Sequence, residues 1–173
     1  DPYLSVFNPA LNEWTHHQFN GWSTVANTTY GGIGALGPYI FLTDMSTAQN
    51  GGPRGIIRFD SRDSSWVRFS SEDYIDLCIG DNGLLYALYP GGSPSGRNID
   101  VFDPTSLELV STFGTPSHET TRRIVVSQEN GIYLSLWENA IQRISLQGEL
   151  LGTIDLSPTI QSTVYDLALD AAG

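Results

Sequence analysis

Four stretches of this chain repeat one arrangement, and that repeat restricts the fold more than any other feature. Leu4-Ser5-Val6-Phe7-Asn8-Pro9 precedes Asn12-Glu13-Trp14, and Ile56-Ile57-Arg58-Phe59-Asp60 precedes Ser64-Ser65-Trp66. Ile99-Asp100-Val101-Phe102-Asp103-Pro104 precedes Leu107-Glu108-Leu109, and Ile141-Gln142-Arg143-Ile144-Ser145 precedes Gly148-Glu149-Leu150. Each unit reads as an alternating strand, a turn rich in Asn, Asp, Pro, Ser or Gly, and a second strand. The anchors Phe7, Phe59, Phe102 and Ile144 lie 52, 43 and 42 residues apart. A second set interleaves with the first. Gly37, Gly83 and Gly131 each stand before an aromatic-bearing strand, and Gly173 follows a stretch resembling the approach to those turns, at spacings of 46, 48 and 42.

A period of roughly 40–50 residues with four strands per unit is the signature of a β-propeller blade. Lettering the strands a (inner) to d (outer), residues 33–70, 75–113 and 123–156 make three complete four-stranded blades. Residues 4–19 supply strands c and d of a partial blade, and 164–169 supply the inner strand of a further one. The expected fold is therefore an all-β propeller segment with partial blades at both ends, part of a larger ring. Its completion would come from another chain or from further polypeptide, because a blade lacking strand b would leave unpaired edges within one sheet.

This periodicity also decides how to read Gly32, Gly34 and Gly37, which form a complete G-x-G-x-x-G. A dinucleotide fingerprint needs a helix after its last glycine, so that the helix N-terminus faces the pyrophosphate. Here Pro38 and a β-branched, aromatic strand follow instead. The stretch 31–37 reads as an inner strand, where small residues suit a crowded axis.

The composition narrows the ligands. The chain carries 19 Asp and Glu against eight Arg and no Lys, a net charge of -11. Nucleic acid and anionic membrane surfaces would be repelled overall. No apolar run approaches the ~20 residues of a membrane span, so direct membrane insertion is not expected. The single cysteine, Cys78, excludes an internal disulfide and lies in an apolar stretch, where a buried, reduced thiol is expected. The Thr/Ser/Gly/Asn-rich, lysine-free composition points to an extracellular or periplasmic setting.

Residues 6–19 and 86–104 resemble kelch repeats. In that family a Gly-Gly pair precedes a Tyr/Phe-Asp-Pro strand, with a Trp six or seven residues on. Gly91-Gly92 with Phe102-Asp103-Pro104 matches the first half, and Phe7-Asn8-Pro9 with Trp14 matches the second. Phe59 with Trp66 matches without the proline. The stretch 130–151 is more similar to NHL-type repeats or to the propellers of bacterial sensor proteins. These resemblances imply a propeller, not one activity, since propellers serve as enzymes, sugar binders and scaffolds alike.

In propellers a site usually sits on the face made by the d–a and b–c loops. Here the d–a loops are 20–32, 70–74, 114–121 and 157–163, and the b–c loops are 43–55, 89–98 and 135–140. Arg54 and Arg97 stand five residues before their anchor phenylalanines, and Asn139 takes the same place before Ile144. The repeat therefore puts two guanidiniums and an amide on one rim, suited to a carboxylate or sulfate. Trp22, Tyr74, Tyr89 and Trp137 lie in the same loops, where exposed rings would stack on sugars or a protein partner. His118 is the only candidate base in a loop of that face. Trp14 and Trp66, on outer hairpins, read as inter-blade packing. No metal set converges; abundant acidic residues would suit calcium, but no D-x-D-x-D-G loop is present.

The expectation is a non-enzymatic module that uses no cofactor and binds a glycan, peptide or partner protein. The alternatives are the propeller of a secreted carbohydrate-active hydrolase, lyase or oxidase, or the sensor domain of a membrane receptor.

Overall fold

A computed structural model describes residues 3–18, 31–44, 54–90, 98–115, 121–160 and 162–169. Fourteen strands and no helix occur among them. The first two, β1 (Tyr3–Asn8) and β2 (Glu13–Gln18), form an isolated antiparallel hairpin. Three four-stranded antiparallel sheets follow, each ordered as in the chain. Blade one holds β3 (Ile33–Leu36), β4 (Tyr39–Asp44), β5 (Gly55–Asp60) and β6 (Trp66–Phe69). Blade two holds β7 (Asp76–Ile79), β8 (Leu85–Leu88), β9 (Ile99–Phe102) and β10 (Leu109–Phe113). Blade three holds β11 (Thr121–Ser127), β12 (Gly131–Leu136), β13 (Ala140–Ile144) and β14 (Leu150–Asp155). This is an all-β segment of propeller blades.

The repeated turns have one local chemistry. Asn8, Asp60 and Asp103, each just past its anchor, turn a side-chain oxygen back to accept a backbone N–H two residues on, at 3.0, 3.0 and 2.7 Å. Ser145 does the same for Gln147 at 3.2 Å. Such Asx- and Ser-capped turns fold locally, which is why the pattern recurs where the remaining sequence varies. Each turn also needs one left-handed residue, supplied by Asn12, Ser64, Leu107 and Gly148 at φ of 52, 61, 65 and 90°.

Alternation along the middle strands sends neighbouring side chains to different blades. Leu85 and Ala87 pack towards blade one with Phe41, Ile56 and Phe102. Tyr86 and Leu88 pack towards blade three with Ile124, Ile132, Leu134 and Ile144. Both faces of β8 are thus buried, and its run is continuously apolar. Leu4 and Val6 bring the hairpin onto Leu42, Ile57 and Phe59 of blade one, and the His17 ring lies 4.6 Å from that of Phe59.

Strand β7 lies between β3 and β11, so the inner strands stand side by side. Their closeness explains the glycines. A Cβ on Gly31 would lie 1.6 Å from the Ile75 carbonyl oxygen, and one on Gly32 would lie 2.2 Å from the Leu77 nitrogen. Polar ties from near the two ends of β7 join it to β11 and the residue just past it. Asp76 Oδ2 accepts the Ile124 N–H at 2.9 Å, and Asp81 Oδ1 accepts the Gln128 N–H at 2.6 Å.

Two expectations change. Residues 164–169 form no strand; the segment runs past β11, with Asp166 near Arg123, and no described strand offers its backbone a ladder. Trp14 and Trp66 do not sit between blades. Trp14 is 62% exposed and rests on Phe7 of its own hairpin, and Trp66 stands on the outer strand β6 at 36% exposure. The inward residues of the outer strands take the inter-blade role instead: the Phe69 ring on β6 lies 5.4 Å from that of Phe102 in blade two. Among the described residues the hairpin packs on blade one, and no closed ring is shown.

Candidate functional site

Strands β3, β7 and β11 all begin at the face from which the d–a connections deliver the chain. A pocket of about 350 Å³ opens there. Its size falls in the range of small-molecule sites, roughly 300–1,000 Å³. Gly31 and Gly32 form one wall, Leu77 and Cys78 the next, Arg123 and Ile124 the third, and Asp166 and Leu167 border it. The glycines matter twice: they let β7 approach, and they leave room beside it.

Asp76 is the buried acid of this pocket. Burial pushes its carboxyl up to about 6, against the pull of the Ile124 N–H and the Arg123 charge. Arg123 keeps its guanidinium at the pocket; Nη1 donates to the Arg122 carbonyl at 3.0 Å, and Nε lies 4.0 Å from the exposed Asp166 carboxylate. Cys78 is half-buried beside them, and burial raises its thiol well above the ordinary range, which keeps it protonated at neutral pH. The expectation of a buried, reduced cysteine is therefore met only in part.

The register shift between Thr121 and Arg123 leaves Arg122 without a partner residue on β12, and its side chain lies on the rim. Its guanidinium carbon sits 3.5 Å from the centroid of the Trp137 ring and 5.2 Å from that of Tyr165. Trp137 remains 49% exposed and Tyr165 68% exposed. This is a cation stacked between two aromatic rings, with planar surface still facing solvent.

The expected site residues divide. Trp137 lies on the rim as an exposed ring. Arg54, just before β5, is exposed but already engaged, its Nη1 2.8 Å from Asp73 Oδ2. Asn139 adopts a left-handed φ of 57° in the tight turn before β13; its carbonyl accepts the Leu156 N–H at 2.8 Å. Its amide donates to the Ile160 carbonyl at 3.5 Å, so it holds the turn. Tyr74 and Tyr89 are corrected: they are interior residues, 0% and 7% exposed. Both hydroxyls donate to Asp100 Oδ2, at 2.8 and 2.9 Å, and Thr112 donates to Oδ1 at 2.5 Å. A carboxylate that is 1% exposed needs such donors, and the tyrosines are drawn inward to supply them. Burial raises both phenols, Tyr89 to about 12. Trp22, Arg97 and His118 lie outside the described residues.

The pocket residues Asp76, Arg123 and Asp166, and the rim residues Arg122 and Tyr165, were not singled out from sequence. One signal was available: Arg122-Arg123 is the only adjacent arginine pair, at the start of an inner strand.

No family model matches the chain, and no curated protein does. Solved structures share its fold. A protein of unknown function from Bacteroides caccae is similar with a TM-score of 0.67 at 14% identity, over 99% of this chain and 59% of that one. PorZ, an essential bacterial surface component of the type-IX secretion system of Porphyromonas gingivalis, gives 0.68 at 12% identity, over 95% of this chain and 26% of that one. The computationally designed protein Ika4 gives 0.57 at 14% identity, over 85% and 83%. The chain thus spans less than two-thirds of the length of the first two. At these identities the likeness concerns the fold alone.

Proposed function

We propose that the chain is a non-enzymatic propeller module, acting in an extracellular or periplasmic setting, that binds a glycan, peptide or partner protein through its d–a and b–c loop face. The observation that carries this reading is the Trp137–Arg122–Tyr165 stack. Stacking over the indole fixes the orientation of the guanidinium, so less freedom is lost when its remaining N–H groups meet a ligand. The exposed indole beside it offers a flat apolar surface to a sugar ring or an apolar side chain.

Glycan and peptide arrays probed with the full chain, followed by calorimetry on the hits, test the proposal. Trp137→Ala and Arg122→Ala are each expected to weaken a true ligand by about tenfold, the scale of one stacked or charge-assisted contact. Hits whose affinities ignore both substitutions would overturn it.

A further inference from the structure

Asp76 and Arg123 face one pocket from neighbouring inner strands, and no ion pair or hydrogen bond joins them. Asp76 uses Oδ2 on the Ile124 N–H. Arg123 uses one N–H on a carbonyl, and its ion-pair contact among the described residues is with the distant, 87%-exposed Asp166. Opposite charges held apart in one cavity complement a molecule that carries both charges itself. The aliphatic side chains of Ile33, Leu77, Ile124, Val125 and Leu167 also border it, beside Cys78 and Asp166, and polar groups make up more of its surface than apolar ones.

We infer that this pocket is a binding site for a free aliphatic α-amino acid, its carboxylate held by Arg123 and its ammonium by Asp76. The planar guanidinium fits a carboxylate through two parallel hydrogen bonds, a geometry an ammonium cannot offer. Asp76 sits where burial weakens its own charge, and an arriving ammonium restores the balance. Asp166, mostly in water, yields Arg123 to the ligand because an exposed pair at 4.0 Å is weakly held. A zwitterion has no net charge, so the chain's overall -11 does not oppose it. This site is separate from the rim stack, and neither proposal depends on the other.

The charged and titratable groups facing Asp76 are Arg123 on β11, Asp166 on the segment past β14, and Cys78 on its own strand; the glycine wall carries none. Asp76 is placed to change charge between pH 5 and 7, because burial raises its carboxyl to about 6. Affinity therefore rises by about tenfold over that interval, following its ionised fraction.

The test uses the full chain with three probes: L-leucine, L-leucinamide, which lacks the carboxylate, and N-acetyl-L-leucine, which lacks the ammonium. Amide chemical shifts and calorimetry are expected to show binding of L-leucine alone, with shifts at Gly31, Gly32 and Cys78. Asp76→Asn, which preserves an acceptor for Ile124, and Arg123→Gln are each expected to weaken it by at least about tenfold. Trp137→Ala is expected to leave it unchanged, which separates failure here from failure at the rim. Equal binding of either capped probe would overturn the inference. So would retention of affinity in both pocket variants, or the absence of L-leucine binding at millimolar concentration.

Discussion

Tyr74 and Tyr89 direct their hydroxyls at one buried carboxylate, so each is worth more to the fold than its ring alone. Tyr74→Phe keeps the ring contact with Phe102 but removes a donor from Asp100. Denaturant unfolding should show a loss of about 1–3 kcal/mol, the cost of leaving a buried acceptor short of a partner. Asp76 gives a signature of the opposite kind. Folded, its carboxyl keeps a proton up to about 6, whereas the ordinary value is 3.8. Between those values the folded chain binds more protons, so stability falls as pH rises from about 4 to about 6. Asp76→Asn removes that titration, and its melting temperature should vary less with pH across this window. These two sites also show where sequence reading stops. That Tyr74 and Tyr89 lie in loops was legible; that they point inward depends on Asp100, on a strand 26 and 11 residues away. No local pattern records such a pairing.

At the level of strands and turns, most of the fold was legible, because the Asx turns and turn glycines act locally and recur with the repeat. The three blades and the hairpin fall where the anchors place them. Segment 164–169 fails for the complementary reason: its alternation is strand-like, but a strand exists only with a ladder partner. The pocket was least legible, since it arises from three strands far apart in sequence. Three glycines in different settings give a graded test. Gly32→Ala should destabilise by about 1–3 kcal/mol or more, as its Cβ meets backbone of the next blade. Gly37→Ala meets nothing within 4 Å and should lose only the roughly 1–2 kcal/mol of a left-handed residue with a side chain. Gly152→Ala has neither burden and should be near neutral. Thermal melts of the three variants check this order.

Across the whole molecule, two surfaces are left open in the described residues. Strand β1 pairs with β2 alone, and the side of blade three away from blade two presents the half-buried Val125, Tyr133 and Ile141. Each of the other interfaces covers such a side with a neighbouring sheet. The proposal that follows is a larger ring, completed by another chain or by further polypeptide. Sedimentation of the 173-residue chain should show self-association, and amide exchange should be fast along β1. A monomer with slow exchange at β1 would refute it. The ties between β7 and β11 carry a mechanical consequence. Asp76 holds Ile124 and Asp81 holds Gln128, tying β7 to β11 near the two ends of β7, while further out the Phe113–Gly114 end of β10 lies against the turn at Gly148. Sheets fastened near the axis and again towards the rim cannot fan apart as loose pages do. Thermal strain will therefore leave the spacing of Asp76 and Arg123 almost unchanged.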